Sequence, residues 1–404
     1  MLKNLCYERA RDLLLSQVYA VGMERVPLSE CGGRVLAQDL IAQENVPAFD
    51  RSPYDGYAVR AEDTVLASKE HPVTLQILEE IPAGAVPTKE VLAGTATKVL
   101  TGAPIPKVAD AVIMYEKTVF TDETVTLFAP VKSGSNIVRT GEDISKGAVL
   151  ARSGTVVDPG LAGTLAAQGE AMPLVYRKPK VALLSTGSEL VEADAAPGAG
   201  KIRNSNRYML EAALKQIGCE PVYLGIAGDS VANISARLNE GLSECDAVVT
   251  TGGVSVGDYD LTPAAMEASG VEMLFRGVDM KPGMACAYGV KAGKLICGLS
   301  GNPASSLTNF YAVALPALRK LTGQHTYLPQ EIKVTLSNGF NKKSPKTRFL
   351  RGRLELKDGA VCMELPKDQG NVVLSSTIGC NVMAVVPAGS GPIEAGTVLK
   401  GFLV

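Results

Sequence analysis

The sequence predicts a multidomain protein of the α/β plus β class: a parallel-sheet α/β domain, a mostly β lobe, an N-terminal helical and linker domain, and a C-terminal β-barrel. The chain has 404 residues, well beyond the size at which a single hydrophobic core stops growing. Strand-like and helix-like segments alternate between residues 180 and 320, which is typical of a parallel sheet covered by helices. Short strand-like runs separated by Pro and Gly turns occupy the regions on either side.

The N-terminal part of the chain predicts the first two domains. Residues 5–18 carry apolar side chains at helical spacing, which predicts the first helix. Between about 55 and 140 the strand-like runs are Val73–Ile77, Thr97–Leu100, Ala111–Met114 and Val125–Phe128. Residues 155–177 return to a helix-containing pattern. We therefore assign residues 1–50 together with 141–178 to the N-terminal linker domain, and residues 51–140 to the mostly β lobe.

The remaining chain predicts the α/β domain and the barrel. The α/β domain, residues 179–324, has strands at Val181–Leu184, Pro221–Ile226, Ala247–Thr250 and Leu295–Leu299. Its helices are expected at Arg207–Ile217, around Ile234 to Leu242, at 262–269, and around Leu307 to Leu318, the last one kinked or opened near Pro316. Residues 325–404 hold further strand pieces with many turns (Ile332–Leu336, Arg348–Leu356, Val361–Leu365 and Val382–Val386), which predicts a small β-barrel.

Charge and hydropathy exclude several classes of protein. A formal net charge of -2 does not fit a protein that binds nucleic acid electrostatically. No stretch approaches the roughly 18 consecutive apolar residues that a membrane span needs. The first residues predict a charged amphipathic helix and lack the apolar core of a signal peptide. We therefore expect a cytoplasmic protein with neither nucleic acid nor membrane among its partners.

The thiols and imidazoles do not predict catalysis. The 8 cysteines include no C-x-x-C pair, so a zinc ribbon or a dithiol redox motif is excluded, and buried structural thiols are expected. The 2 histidines, His71 and His325, both lie in predicted loops or at a helix end, which does not fit a His-dependent triad. The chemistry is therefore expected from carboxylates, Lys or Arg side chains, hydroxyls and backbone amides.

Glycine-, hydroxyl- and acid-bearing loops follow the strands of the α/β domain. These loops are Ser185–Glu189, Ala227–Ser230, Thr251–Asp260 and Ser300–Pro303. Ligands of open α/β sheets bind outside the carboxyl ends of the strands, near helix N-termini that attract anions. Glycine lets the backbone approach a phosphate, and carboxylates can hold Mg²⁺ beside it. For each loop alone a turn or a helix cap is the better explanation, but four together favour a ligand site.

Two basic features are further candidates for anion binding. Lys281 lies in a rigid turn, Lys281–Gly283, between two predicted strands. The segment Asn341–Arg353 contains several Lys and Arg residues and no acidic residue, namely Lys342, Lys343, Lys346, Arg348, Arg351 and Arg353. The alternative interpretation of this second run is a solvated face of the barrel, which is the usual role of a charge run.

With these residues in place, the chain resembles the MoeA family, which includes the C-terminal domain of gephyrin, over nearly its whole length. The motifs that carry the resemblance are Phe49–Ala58, Thr101–Pro104, Gly141–Ile144, Ser185–Leu190, Thr251–Asp260, Lys281–Gly283 and Gly298–Pro303. The resemblance implies a molybdopterin molybdenumtransferase with a molybdopterin-binding α/β domain. Such an enzyme inserts molybdate, its substrate, into adenylylated molybdopterin with Mg²⁺-dependent release of AMP. It is an elongated homodimer, and its active site lies between the α/β domain and the β lobe of the other subunit.

The resemblance also implies the functional residues. The implied catalytic residues are Asp55, Thr101, Asp143, Glu189, Asp229 and Asp260, with Glu189 and Asp260 as the Mg²⁺ ligands. Among the substrate-binding residues, the resemblance implies Lys281, Pro303 and Arg351. The strand-end loops add Ser185, Thr186, Gly187, Gly252, Gly253, Ser255, Gly301 and Asn302. Further implied partners are the molybdopterin adenylyltransferase and the apo-molybdoenzymes or their chaperones.

The sequence departs from the family pattern at several positions, and two alternative functions have to be considered. Met284 and Ala285 replace a frequent Lys-Pro, Ser300 replaces a Pro, Asn204 stands where Asp is frequent, and Asn371 where Ser is frequent. One alternative function is a molybdopterin adenylyltransferase, which resembles the α/β domain alone. The other is a non-catalytic, gephyrin-like scaffold, which has no need of clustered acids. The sequence does not separate molybdate from tungstate.

Overall fold

The computed structural model describes residues 2–255, 260–357 and 359–404, and these residues form two compact units. One unit comprises residues 1–38, 153–162 and 172–404, and the other comprises residues 39–152 and 163–171. Residues 256–259 of the predicted Thr251–Asp260 loop lie outside the described residues. The four-domain division stays a prediction. None of the described helices combines the length and the apolar character that crossing a membrane requires.

The described residues form 25 strands. They are β1 (Leu2–Leu5), β2 (Met23–Arg25), β3 (Leu40–Ile41), β4 (Gly56–Val59), β5 (Val73–Ile81), β6 (Thr95–Val99), β7 (Ala111–Met114), β8 (Thr118–Phe120), β9 (Thr124–Leu127), β10 (Val149–Ala151), β11 (Leu174–Tyr176), β12 (Lys180–Thr186) and β13 (Leu190–Val191). They continue as β14 (Ile202–Arg203), β15 (Glu220–Ala227), β16 (Ala247–Thr251), β17 (Glu272–Val278), β18 (Met280–Lys281), β19 (Ala287–Lys291), β20 (Lys294–Leu299), β21 (Glu331–Leu336), β22 (Thr347–Lys357), β23 (Ala360–Glu364), β24 (Val382–Val386) and β25 (Val398–Leu403).

The helices follow the same order. They are α1 (Tyr7–Leu15), α2 (Pro159–Ala167), α3 (Ser205–Gln216), α4 (Val231–Glu244), α5 (Thr262–Ala268), α6 (Pro303–Asn309) and α7 (Leu315–Leu321). A π-helical turn, Phe310–Ala314, joins α6 to α7. This turn confirms the predicted opening of the helix near Pro316. The helix opens there because Pro316 has no N–H to donate and its ring crowds the preceding turn.

A seven-stranded sheet forms the centre of the α/β domain. Its order is β1-β17-β19-β20-β16-β12-β15. The neighbours β20, β16, β12 and β15 pair in parallel, and β19 pairs antiparallel with both of its neighbours. Helices α4 and α5 pack against one face through residues such as Leu238 and Met266. Helices α1, α3 and α7 cover the other face through residues such as Leu14, Leu214 and Leu318.

The C-terminal strands form the predicted β-barrel. The order β22-β23-β21-β25-β24 is closed by pairing of β24 with β22, which gives a five-stranded barrel. Strand β18, from the α/β region, pairs in parallel with β22, so that Met280 lies opposite Thr347 and Lys281 opposite Arg348. The Lys346 ammonium lies 2.8 Å from the Asp279 carboxylate beside this pairing. The α/β domain and the barrel are therefore joined by backbone hydrogen bonds as well as by the chain.

The second unit contains the predicted mostly β lobe. Its six-stranded sheet has the order β7-β4-β6-β5-β9-β8 and buries Tyr57, Leu75 and Val125. The predicted fold class, with its α/β domain, β lobe and C-terminal barrel, is confirmed.

The start of the chain differs from the prediction. The first residues were expected to begin an amphipathic helix, whereas the structure has β1 at Leu2–Leu5. The helix expected within residues 5–18 is present as α1 at Tyr7–Leu15. Strand β1 pairs in parallel with β17, with Lys3 opposite Arg276. Pairing with a strand distant in sequence outweighs the helical spacing, because it satisfies the backbone groups of the sheet edge.

Candidate functional site

Residues from all four predicted strand-end loops line one cavity of about 670 Å³. The predicted site residues that line it are Thr186, Gly187, Glu189, Asp229, Gly252, Gly253, Ser255, Asp260, Gly301 and Asn302. The loops meet because β15, β12, β16 and β20 are parallel neighbours whose carboxyl ends share one edge of the sheet. Hydrogen bonds join the loops: the Gly252 N–H donates to Leu299 O at 3.0 Å, and the Gly187 N–H donates to Ala227 O at 3.3 Å.

Glycine is required where two of these loops come closest. Gly252 has a φ of +97°, and a Cβ there would lie 2.5 Å from the Thr186 carbonyl oxygen. Gly253 has a φ of +63°, and a Cβ there would lie 2.6 Å from Thr262 Oγ1. L-residues with a side chain rarely adopt these φ values, and the neighbouring atoms leave no room for one. Gly252 therefore allows the loop after β16 to approach Thr186 at the end of β12, and Gly253 allows it to approach the start of α5.

Among the described residues, three carboxylates line the cavity. Glu189 and Asp229 are exposed, and Asp260 is partly buried. Asp229 Oδ2 accepts a hydrogen bond from the Ser188 N–H at 3.0 Å, so this acid also holds the neighbouring loop. The N-cap of α4 is Ser230 rather than Asp229, since the Asn233 N–H donates to Ser230 Oγ at 3.1 Å.

The oxygen donors of the cavity suit Mg²⁺ in one of its usual modes. Within the described ranges, no three His, Cys, Asp or Glu side chains come together as a metal site. Mg²⁺ is commonly held by one or two carboxylates together with substrate phosphates and water, and that mode needs no such cluster. Glu189 and Asp260 therefore fit a metal that binds together with the substrate.

The structure places Ser185 and Pro303 beside the cavity lining rather than in it. Ser185 lies within β12, is 2% exposed, and accepts a hydrogen bond from Asn204 Nδ2 at 2.8 Å. Side chains alternate along a strand, so Thr186 faces the cavity while Ser185 faces Asn204. Pro303 is the first residue of α6, where the missing N–H costs no helical hydrogen bond.

Lys281 lies at a second, smaller cavity next to the barrel. This cavity of about 190 Å³ is lined by Lys281, Pro282, Phe340, Lys342, Arg348, Gln369, Gly370 and Asn371. It gathers three cationic side chains and no acidic side chain from the described residues. The arrangement suits a small anion.

Arg351 is fully buried in the barrel, with 0% of its surface exposed. Its Nη2 donates to Ser376 Oγ at 3.0 Å and to Gly370 O at 3.2 Å, and its backbone N–H donates to Gln369 Oε1 at 3.0 Å. Burial lowers the pKa of the guanidinium. Arg351 thus holds the segment that carries Gln369 and Gly370, both of which line the smaller cavity.

The remaining predicted residues belong to the other unit. Asp55 Oδ1 accepts hydrogen bonds from the Thr101 N–H at 2.7 Å and from Thr101 Oγ1 at 2.8 Å. These hydrogen bonds, the backbone one first, lower the pKa of the Asp55 carboxyl. Asp143 is exposed, and its backbone N–H donates to Val46 O at 3.1 Å. The structure therefore brings Asp55 and Thr101 together within the lobe.

Among the described cavity residues, Asn206 is a polar one that lies outside all four predicted loops. Asn206, the second residue of α3, lines the large cavity, and its Nδ2 donates to Gly301 O at 2.8 Å. The Asn204-Ser-Asn206 run at a helix start was the available signal. It was not distinctive, because asparagine is also a common helix cap.

The thiols of the α/β domain are buried, in agreement with the structural role predicted for them. Burial raises the pKa of Cys219 and of Cys286 to about 12, and it also raises the pKa of Cys245 and Cys297. A protonated, inaccessible thiol is a poor nucleophile.

We expect iodoacetamide at pH 8 to modify the exposed Cys6 of the native protein and to leave these four thiols unmodified. Replacing any of the four by Ala or Ser should change stability more than turnover.

A thiol that ionises near 9 when unfolded and at about 12 when folded stabilises the fold fully below pH 9, and this stabilisation is lost as pH rises to 12. The melting temperature of Cys219→Ala should therefore fall less steeply above pH 9 than that of the wild type. Rapid native alkylation of Cys219, or a selective loss of turnover, would contradict this role.

Three family descriptions together match most of the chain. Residues 5–169 match the MoeA N-terminal region (domain I and II), residues 182–320 match a probable molybdopterin binding domain, and residues 333–401 match the MoeA C-terminal region (domain IV).

Curated relatives and solved structures are similar over nearly the full length. The molybdopterin molybdenumtransferase of Staphylococcus epidermidis is 36% identical over 391 residues, which cover 96% of this chain and 93% of the relative. That of Bacillus subtilis is 38% identical over 387 residues, which cover 94% of this chain and 90% of the relative. The crystal structure of the molybdopterin biosynthesis moeA protein from Pyrococcus horikoshii superposes with a TM-score of 0.86 at 34% identity, covering 99% of this chain and 100% of that one.

Proposed function

Because this chain belongs to the MoeA family of molybdopterin molybdenumtransferases, transferases of molybdenum cofactor biosynthesis, we propose that it inserts molybdate into adenylylated molybdopterin with Mg²⁺-dependent release of AMP. The observation that carries the proposal is the cavity at the carboxyl edge of the sheet, where glycine loops, hydroxyls and three carboxylates meet. Glycines allow close approach of a phosphoanhydride, and carboxylates suit the cation that accompanies it.

We assign different tasks to the acids. Glu189 and Asp260 hold Mg²⁺, which when bound neutralises developing charge on the phosphate. Asp229 holds the loop that carries Ser188 and Glu189, through its hydrogen bond to the Ser188 N–H. Carboxylates are poor direct ligands of molybdate because like charges repel, so none of them is assigned to that anion.

We assign molybdate to the cationic residues near the barrel. Lys281, Lys342 and Arg348 line the cavity of about 190 Å³, which suits a compact dianion better than the acidic cavity does. Arg351 supports the same cavity indirectly, because its guanidinium donates a hydrogen bond to the carbonyl of Gly370, which lines the cavity. Met284 stands where many relatives carry a lysine, so the anion site of this chain depends more on Lys281, Lys342 and Arg348.

The alternative functions explain less of the molecule. An adenylyltransferase needs the α/β domain alone, which would leave the cationic cavity beside the barrel without a role. A scaffold has no need for Glu189, Asp229 and Asp260 around one cavity. The deciding experiment incubates the purified protein with adenylylated molybdopterin, Mg²⁺ and either molybdate or tungstate. We expect AMP release together with active cofactor; cofactor formation without AMP, or neither product, would reject the proposal.

We also propose that the enzyme works as a homodimer in which Asp55 and Thr101 of one subunit serve the site of the other, as the family resemblance implies. Asp55→Asn and Asp260→Asn are each expected to be nearly inactive as homodimers. Mixed heterodimers should recover up to about half of the wild-type activity per dimer, because one of the two sites then carries no substitution. Co-expression with two different affinity tags, tandem purification and AMP-release assays measure this. A heterodimer as inactive as its parents, or a fully active monomer, would show that each chain builds its own site.

A further inference from the structure

Asn206 lines the large cavity, and only one of the two polar atoms of its buried side-chain amide has a hydrogen-bond partner among the described residues. The residue is 7% exposed, and its Nδ2 donates to Gly301 O at 2.8 Å. Its Oδ1 is buried and has no hydrogen-bond partner among the described residues. Leaving a buried acceptor unsatisfied costs about 1–3 kcal/mol. Because Asn206 belongs to the cavity lining, a ligand that enters there could complete this bond.

The orientation of this amide is fixed by its partner. The Gly301 carbonyl can only accept, so the NH₂ group of Asn206 must face it and the oxygen must face away. The helix start that carries Asn206 is also held in place, because Asn204 Nδ2 donates to Ser185 Oγ on β12 at 2.8 Å. The Oδ1 atom is thus a preorganised acceptor rather than a mobile surface group.

The same cavity also has apolar lining. Leu190 and Ile202 are register partners in the β13–β14 pair, and both line the cavity together with Ile234 and Val254. A hydrogen-bond acceptor in a cavity that also has apolar lining suits the edge of a flat, nitrogen-containing ring. It does not suit a phosphate or molybdate, whose oxygens would be repelled by Oδ1.

We propose that Asn206 Oδ1 accepts a hydrogen bond from an exocyclic amino group of a heterocyclic ring in the substrate, and so contributes to ring specificity. The inference rests on the proposed function, in which the substrate carries two such rings, the pterin and the adenine. Both offer an amino group on a flat ring, and the geometry assigns the shared chemistry.

Matched ligand pairs test the contact. Calorimetry on the full-length protein compares AMP with purine riboside 5′-monophosphate, which lacks the 6-amino group, and 6-hydroxymethylpterin with 6-hydroxymethyllumazine, in which oxygen replaces the 2-amino group. We expect the wild type to bind the aminated member of one pair about tenfold more tightly, the size of one net hydrogen bond. Asn206→Ala should bind both members of that pair equally. A preference in the AMP pair identifies adenine, and one in the pterin pair identifies the pterin.

Asn206→Asp is the control for a purely structural role. It keeps an acceptor but loses the donor to Gly301 O, so its overall affinity should fall while its preference for the amino ligand persists. Melting temperatures of both variants establish that they are folded. Equal wild-type binding within both pairs, an unchanged preference in Asn206→Ala, or no binding of any of the four ligands at millimolar concentration would overturn the inference. AMP release from adenylylated molybdopterin is measured separately, so failure of that reaction is distinguishable from failure of the Asn206 contact.

Discussion

Asp260→Asn and Glu189→Gln are each expected to slow single-turnover AMP release by about a hundredfold or more, a loss of roughly 3 kcal/mol of transition-state stabilisation. Both carboxylates line the large cavity at the ends of strand-end loops. An amide of the same shape is a neutral and weaker ligand of a hard cation. The expected loss therefore arises from the charge and not from the packing of these side chains.

The competing explanation for Asp260 is a role at the start of α5, which begins at Thr262 with Leu261 at its N-cap position. Asn caps helices as well as Asp does, so in that case Asp260→Asn should leave both stability and turnover nearly unchanged. Melting temperature and AMP release are measured on the same preparation, across a series of Mg²⁺ concentrations. A metal-ligand role predicts an unchanged melting temperature and a higher Mg²⁺ requirement. Wild-type release at low Mg²⁺ would rule that role out.

Gly252→Ala is expected to reduce AMP release by about a hundredfold, because an added Cβ would push the Gly252 loop away from Thr186. The Cβ would lie 2.5 Å from the Thr186 carbonyl oxygen and 2.7 Å from its Oγ1, and a shift of about 1 Å in a catalytic constellation can cost that much in rate. The φ of +97° adds a conformational cost of about 1–3 kcal/mol to the free energy of folding.

Gly225→Ala is the matched control. Gly225 has a φ of +91°, but a Cβ there would meet nothing within 4 Å. Its conformational cost should therefore resemble that of Gly252→Ala, while its turnover should stay near the wild-type value. Thermal melts and AMP release of the two variants separate strain from collision. Similar losses of turnover in both variants, or normal turnover in Gly252→Ala, would show that the close approach to Thr186 is not needed for catalysis.

Strands and strand-end loops could be predicted where the signal is local. The bounds of β7 and β24 agree with the sequence pattern, since Ala111–Met114 and Val382–Val386 are continuous apolar runs. Strand β1 was missed because Lys3 and Asn4 break its apolar pattern and its partner β17 is distant in sequence. Local periodicity contains no information about such a pairing.

The site residues also divide into those with a local sequence signal and those without one. A loop at the end of a parallel strand lies at one known edge of the sheet, so the strand pattern places the four loops that carry ten of the predicted residues at this cavity. The roles of Glu189, Asp229 and Asp260 were implied by the family resemblance. Ser185 and Arg351 are oriented by strand alternation and burial, which a motif does not encode. Asn206 depends on a hydrogen bond to Gly301 across the domain, which no local pattern of either segment reveals.

The pairing of β18 with β22 limits how the domains of this enzyme can be recombined. Lys281 lies in register with Arg348, and the ion pair between Asp279 and Lys346 lies beside the same two strands. The lysine contributed by the α/β domain is thus oriented by the backbone of the barrel. A chimera that takes its barrel from another family member therefore has to inherit Asp279–Lys281 and Lys346–Arg348 as one unit, although more than sixty residues separate them. In evolutionary terms, the two segments form a single exchangeable module that the linear order of the gene does not show.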